Sequence, residues 1–192
     1  MGHSRAYPVF RTTDAAEAYA RAERLVALLE RVDDTVFVEA EVRTVAEARR
    51  VAALLPDPAA DPAPPVDAER AVREVDVARA EDAEIRAALP LCVSGDVPLG
   101  ALGRDLPRAL GAVTASVDWH GRWPDDRDTG RPGSNQYDGV QLVLHGEEAE
   151  GSEWTPHHTV LVHLDKREDV SRARRLAARV GGEVLRDVRI GW

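Results

Sequence analysis

Five of the six histidines in this chain fall between positions 120 and 163: His120, His145, His157, His158 and His163. In the stretch 157–165 (HHTVLVHLD), His157, Thr159, His163 and Asp165 share one face if the segment is a strand, because side chains alternate with period two. Asp118 and His120 share a face in the same way within 112–120 (AVTASVDWH). Imidazoles and carboxylates that converge are the donor set of Zn²⁺ and similar ions. His120, His157 and His163 are therefore the candidate metal ligands, and His157, Thr159 and His163 the candidate catalytic set. The bland alternative is ordinary histidines at strand ends and solvent-facing positions.

A second group lies in the loop 121–136 (GRWPDDRDTGRPGSNQ) and the turn 147–153 (EEAEGSE). Long polar loops between strands often hold binding residues. Trp123 and Trp154 are aromatic anchors of the kind found in protein interfaces. Asp125, Asp126, Asp128, Glu147 and Glu148 surround them with negative charge. Asp126, Asp128 and Gly130 are spaced like the start of a calcium loop, without the later ligands. Cys92, the only cysteine, lies in the apolar stretch LPLCVSG and reads as buried and inert. Ser94-Gly95-Asp96 reads as a turn. There is no P-loop, no dinucleotide-binding glycine pattern and no Gly-x-Ser-x-Gly elbow, so no cofactor is expected.

The elements that position these residues follow from periodicity. A strand over 6–11 leads to a helix over 14–31, capped by Thr13 or Asp14 with Glu17 in capping-box spacing. A strand over 35–42 (TVFVEAEV) places Glu39 and Glu41 opposite its valines. Thr44 caps a helix over 45–55. Residues 56–66 hold five prolines and read as an extended connector. Residues 70–78 read as a strand or as part of a helix continuing through 81–89, and 90–111 as irregular with a helical turn near 104–110. Strands over 112–120, 138–146 and 157–165 follow, the last two as an antiparallel pair. A helix over 169–180 ends at Gly181-Gly182, and a strand over 183–190 closes the chain.

The expected fold class is α+β: a mixed, largely antiparallel sheet with helices mainly on one face, possibly as two similar strand–helix lobes. The expected organisation is a unit over 1–55, the connector 56–66 and a C-terminal part over 67–192, packed together into one globule. The stretches 35–55 and 159–180 align with one inserted residue, Thr35 meeting Thr159 and Ala48-Arg49-Arg50 meeting Ala173-Arg174-Arg175. Duplication and chance likeness in an Ala/Arg/Val-rich chain both remain open.

His157-His158-Thr159-Val160, followed by a helix, resembles the His-x-Thr strand of the two-histidine phosphoesterases. That resemblance implies two similar lobes, paired histidines acting as general acid and base, and hydroxyls that bind phosphate. His157 and Thr159 would be half of such a site. The matching place in the first lobe reads Asp33-Asp34-Thr35, so the second histidine of the pair is missing.

The formal charge of −9 is spread evenly along the chain. It disfavours nucleic acid as a partner and favours a basic protein. Arginine supplies all basic residues but Lys166, which with the Ala and Val content fits a GC-rich, bacterial source. The N-terminus lacks an apolar signal-peptide core, and no apolar run approaches a membrane span, so a cytoplasmic protein is expected. The first functional expectation is a non-enzymatic acidic protein-binding module, of the inhibitor or immunity type that neutralises a basic toxin or enzyme. The alternative is a phosphoesterase-like or metal-dependent enzyme built on the 157–163 strand.

Overall fold

The computed structural model describes residues 4–63, 75–101, 103–149, 153–168, 170–185 and 189–191. Strand β1 (Arg5–Thr12) runs into helix α1 (Ala15–Val26). Asp14 caps α1, accepting from the N–H groups of Ala16 and Glu17 at 2.9 and 3.1 Å. Glu17 does not complete the capping box, because the Asp14 N–H goes to the Thr12 hydroxyl. The helix stops short of residue 31. Glu30 instead donates its N–H to the Arg122 carbonyl, and Arg31–Val32 form the short strand β2.

Strand β3 (Thr35–Val42) and helix α2 (Val45–Ala52) follow as expected. The Thr44 hydroxyl accepts from the Glu47 N–H, and the Glu47 carboxylate accepts from the Thr44 N–H. Thr44→Ala removes one half of this reciprocal cap, and a loss of about 1 kcal/mol is expected in urea unfolding.

Two segments depart from expectation. Within the proline-rich stretch, Ala59–Pro62 form strand β4, which pairs antiparallel with β5 and buries Ala60. Pro62 is tolerated because β4 is the outermost strand among the described residues, where a missing donor breaks no inner ladder. Residues 64–66 of that stretch, and 70–74 of the strand-or-helix reading, lie outside the described residues. Val75 and Val77 send their side chains into the core from a turn, and helix α3 (Asp82–Ala88) follows. Residues 91–98 are not irregular but form β5 (Leu91–Pro98), paired with β3 along its whole length. Ser94-Gly95-Asp96 is therefore mid-strand. A Cβ on Gly95 would meet the Asp57 carbonyl at 3.2 Å, so glycine permits the close approach of the chain leaving α2.

Helix α4 (Leu106–Leu110), strands β6 (Thr114–Arg122), β7 (Asp138–Leu144) and β8 (His158–Leu164), helix α5 (Val170–Arg179) and strand β9 (Arg189–Ile190) complete the chain. The sheet order is β4-β5-β3-β6-β7-β8-β1-β9, with β2 beside the end of β6. Every pairing among the described residues is antiparallel. The fold is α+β. The two strand–helix copies, β3-α2 and β8-α5, flank the central β6-β7 pair on opposite sides. No helix among the described residues is long and apolar enough to cross a membrane.

Candidate functional site

Period two gives the sheet two unlike faces. One carries Val36, Val38, Val117, Trp119, Val140 and Val162, which share a single core with the buried residues of all five helices. Tyr19 of α1 meets Trp119 edge-on at 6.0 Å. The helices therefore all serve this face, and the chemistry falls to the other.

The second face is itself divided. Over β7, β8 and β1 the chain leaving β7 folds back and covers it. Ala149 packs on Ala6, Val143 and Leu161, and its carbonyl accepts from the Gln141 amide at 3.0 Å. The Thr159 hydroxyl donates to the Gly146 carbonyl at 2.9 Å, and Arg11 pairs with Glu147 at 3.1 Å. Over β4, β5, β3 and β6 no helix among the described residues packs. There Asp61, Cys92, Ser94, Asp96, Phe37, Glu39 and Glu41 face outward, with Ser116 and Asp118 at the boundary between the two halves.

A buried hydrogen-bonded row leads to that boundary. The Ser4 hydroxyl lies 2.8 Å from His163 Nδ1, and His163 Nε2 lies 3.1 Å from Gln141 Oε1. An amide oxygen only accepts, so His163 carries its proton on Nε2 and Nδ1 accepts from Ser4. Burial, and then the neighbouring His120, hold His163 well below the usual imidazole range, so the ring is neutral. Gln141 also hydrogen-bonds Asp118. The Ser116 hydroxyl donates to Asp118 Oδ2 at 3.1 Å, while Asp118 Oδ1 is buried with no hydrogen-bond partner among the described residues. Burial pushes the Asp118 carboxyl up to about 7 and Glu39 pushes the same way, against the hydrogen bonds from Ser116 and Gln141.

Cys92 is not enclosed by apolar residues but half-buried on the polar face. Burial first, then Glu39, Glu41 and Asp61, push its thiol up to about 12, which removes it as a nucleophile at neutral pH. Asp118 and Cys92, on different strands, both register the negative field of Glu39.

The residues singled out by sequence are dispersed. His157 and His163 stand near opposite ends of β8, six residues and so ~20 Å apart. Thr159 is fully buried with its hydroxyl committed to Gly146, and His163 is fully buried between Ser4 and Gln141. His157 lies at the surface, 3.8 Å from Glu147. His120 does approach His163 across Gly139 of β7, on the same face. No group of three or more His, Cys, Asp or Glu among the described residues is placed to hold a metal ion.

The loop 121–136 is a strap fastened to α5, not a free binding loop. Trp123 is fully buried, and its indole N–H donates to the His163 carbonyl at 2.9 Å. Arg175 pairs with Asp126 at 2.7 Å and Asp128 at 3.2 Å, and Arg122 pairs with Asp125. The buried Arg172 joins Glu168 at 2.7 Å to the Pro124 carbonyl at 2.6 Å. The acids of the loop are thus neutralised by arginines. Glu147 is paired and Glu148 half-buried. Trp154 alone among these anchors is exposed, at 56%, stacked on His145 with its N–H on the Ala112 carbonyl.

What sequence reasoning missed was the open half-face itself. The alternation in 35–42 already put Glu39 and Glu41 together, but Cys92, Ser94 and Asp96 could join them only once 91–98 was known to be a strand. Comparison of the chain with protein-family models, with curated proteins and with solved structures finds no match.

Proposed function

We propose that this chain is a non-enzymatic protein-binding module, of inhibitor or immunity type, whose open acidic sheet face receives a basic protein. The observation that carries the reading is the composition of that face. Asp96 stands opposite the half-buried Phe37, Glu39 follows two residues along β3, and Glu41 and Asp61 lie farther along the same face. The one cation paired with any of these acids among the described residues is Arg43, on Glu41 at 2.8 Å. The acids of the 121–136 loop are spent on arginines; of these four, only Glu41 pairs with one among the described residues. A sheet face rich in acids, with an aromatic beside them, supplies both electrostatic steering and a contact to bury. The overall charge of −9 acts in the same direction. A cytoplasmic, bacterial setting belongs to the same reading.

The test compares the wild type with the triple variant Glu39→Lys, Glu41→Lys, Asp96→Lys. Partners are captured from the native cells, identified by mass spectrometry, purified, and titrated back by calorimetry. The expected partner is a basic protein whose binding weakens with salt, is lost in the triple variant and survives Asp125→Asn with Asp128→Asn. Equal affinity of the triple variant for that partner would sink the reading.

A further inference from the structure

Asp118 stands directly opposite Phe37 of β3 on one side and Gln141 of β7 on the other. Its side chain is on the open face but almost wholly enclosed, at 6% exposure, and Oδ1 has no partner among the described residues. A buried carboxylate oxygen left unbonded is costly. The groups facing it do not offset this. From its own strand come Ser116 and His120, from β3 Phe37 and Glu39, from β7 Gln141, and beyond Phe37 on β5 Asp96. Two of these neighbours are acids, and no Arg or Lys among the described residues pairs with Asp118. A buried acid with a vacant oxygen, beside a second acid and an aromatic ring, lacks one thing: a cation with several donors.

We propose that Asp118, Glu39 and the ring of Phe37 form a subsite for one guanidinium group of the basic partner. This rests on the acidic-face reading and names the residue at its centre. A guanidinium suits the site better than an ammonium. Its planar fork donates to two carboxylates at once, and its flat face lies on an aromatic ring. Oδ1 has no exposed surface in the free chain, so the side chains around it must part for the guanidinium to supply the donor it lacks, and Asp118 must be ionised to receive it. Binding therefore releases a proton wherever free Asp118 holds one, and affinity rises with pH until that proton is gone.

The probe is an Arg-Gly repeat peptide, with Lys-Gly and Glu-Gly repeats as controls, titrated into the full chain and followed by amide NMR shifts from pH 5.5 to 8. The expected result is binding of the Arg peptide with shifts at Phe37, Glu39 and Asp118. Affinity should rise by up to about tenfold per pH unit below 7 and level off above it. Asp118→Asn should weaken binding roughly tenfold or more and flatten the pH dependence. His120→Gln should keep that dependence, which separates Asp118 from the nearby imidazole. Unchanged affinity and pH slope in Asp118→Asn, or equal affinity for the Lys peptide, would overturn the subsite while leaving the acidic face as the docking surface. Arg-peptide shifts that fall elsewhere than β3, β5 and β6 would overturn both.

Discussion

Trp123→Ala is expected to destabilise the protein by ~3–5 kcal/mol, the range for removing a fully buried tryptophan. The side chain is the largest among those with no exposed surface. It also closes three connections at once. Its indole N–H donates to the His163 carbonyl, its backbone N–H donates to Asp138 Oδ2 at 3.1 Å, and the next residue's carbonyl takes the buried Arg172. Alanine would leave a cavity and remove the indole donor from the His163 carbonyl inside the core. Trp123→Phe keeps most of the volume and should cost less, about 1–3 kcal/mol, chiefly for the lost hydrogen bond. Urea unfolding midpoints for both variants check the order. If Trp123 were instead a surface anchor for a partner, as its place in a polar loop suggests, Trp123→Ala would leave the midpoint unmoved and weaken binding alone.

That contrast shows where the sequence was legible. Amphipathic periods and caps were enough for α1, α2, α5 and the inner strands, because each buries one face or stripe and shows the other to polar surroundings. β5 escaped because Cys92 reads as apolar, which turns L-C-V-S-G-D-V from an alternation into an apolar run followed by a turn. In the folded chain Leu91, Val93 and Val97 point to the core, and Cys92, Ser94 and Asp96 point away. β4 escaped because Pro62 and the prolines on either side of it argue for a connector. Only tertiary pairing with β5 makes Ala59–Pro62 a strand. The site was less legible than the fold for a related reason. Asp125, Asp126 and Asp128 look available in sequence, and Arg175, which neutralises both Asp126 and Asp128, lies nearly fifty residues away on α5. Conversely, Asp118 looks like an ordinary strand-edge acid next to His120. Its distinction comes from being enclosed between Phe37 and Gln141, which sit about eighty residues before and twenty after it.

Asp118→Asn is expected to raise stability, and to raise it more as pH rises. The sign follows from the direction of its shift. Burial carries the carboxyl from 3.8 to about 7, so between those values the folded chain holds a proton that the unfolded chain has lost. Stability therefore falls as pH climbs through that window, and the whole penalty is present above 7. Each tenfold change in proton affinity is worth ~1.4 kcal/mol, which puts the full penalty at roughly 4 kcal/mol and its growth between pH 5 and 8 at roughly 3 kcal/mol. Asparagine keeps an oxygen for Ser116 and Gln141 and has no charge to bury. Its new N–H₂ enters a place with no assigned acceptor, at a cost that does not vary with pH. The change in the gap between variants, measured by urea unfolding at pH 5 and pH 8, is thus the clean quantity. A constant gap would mean that Asp118 titrates as an ordinary carboxyl, and that its enclosure is without electrostatic consequence. A gap that widens, in a variant that also binds the Arg-Gly peptide more weakly, would mean that the chain sacrifices stability to keep a buried acid at the edge of its open face. Stability sacrificed at one residue in this way marks a functional position, since a purely structural one would favour the more stable asparagine.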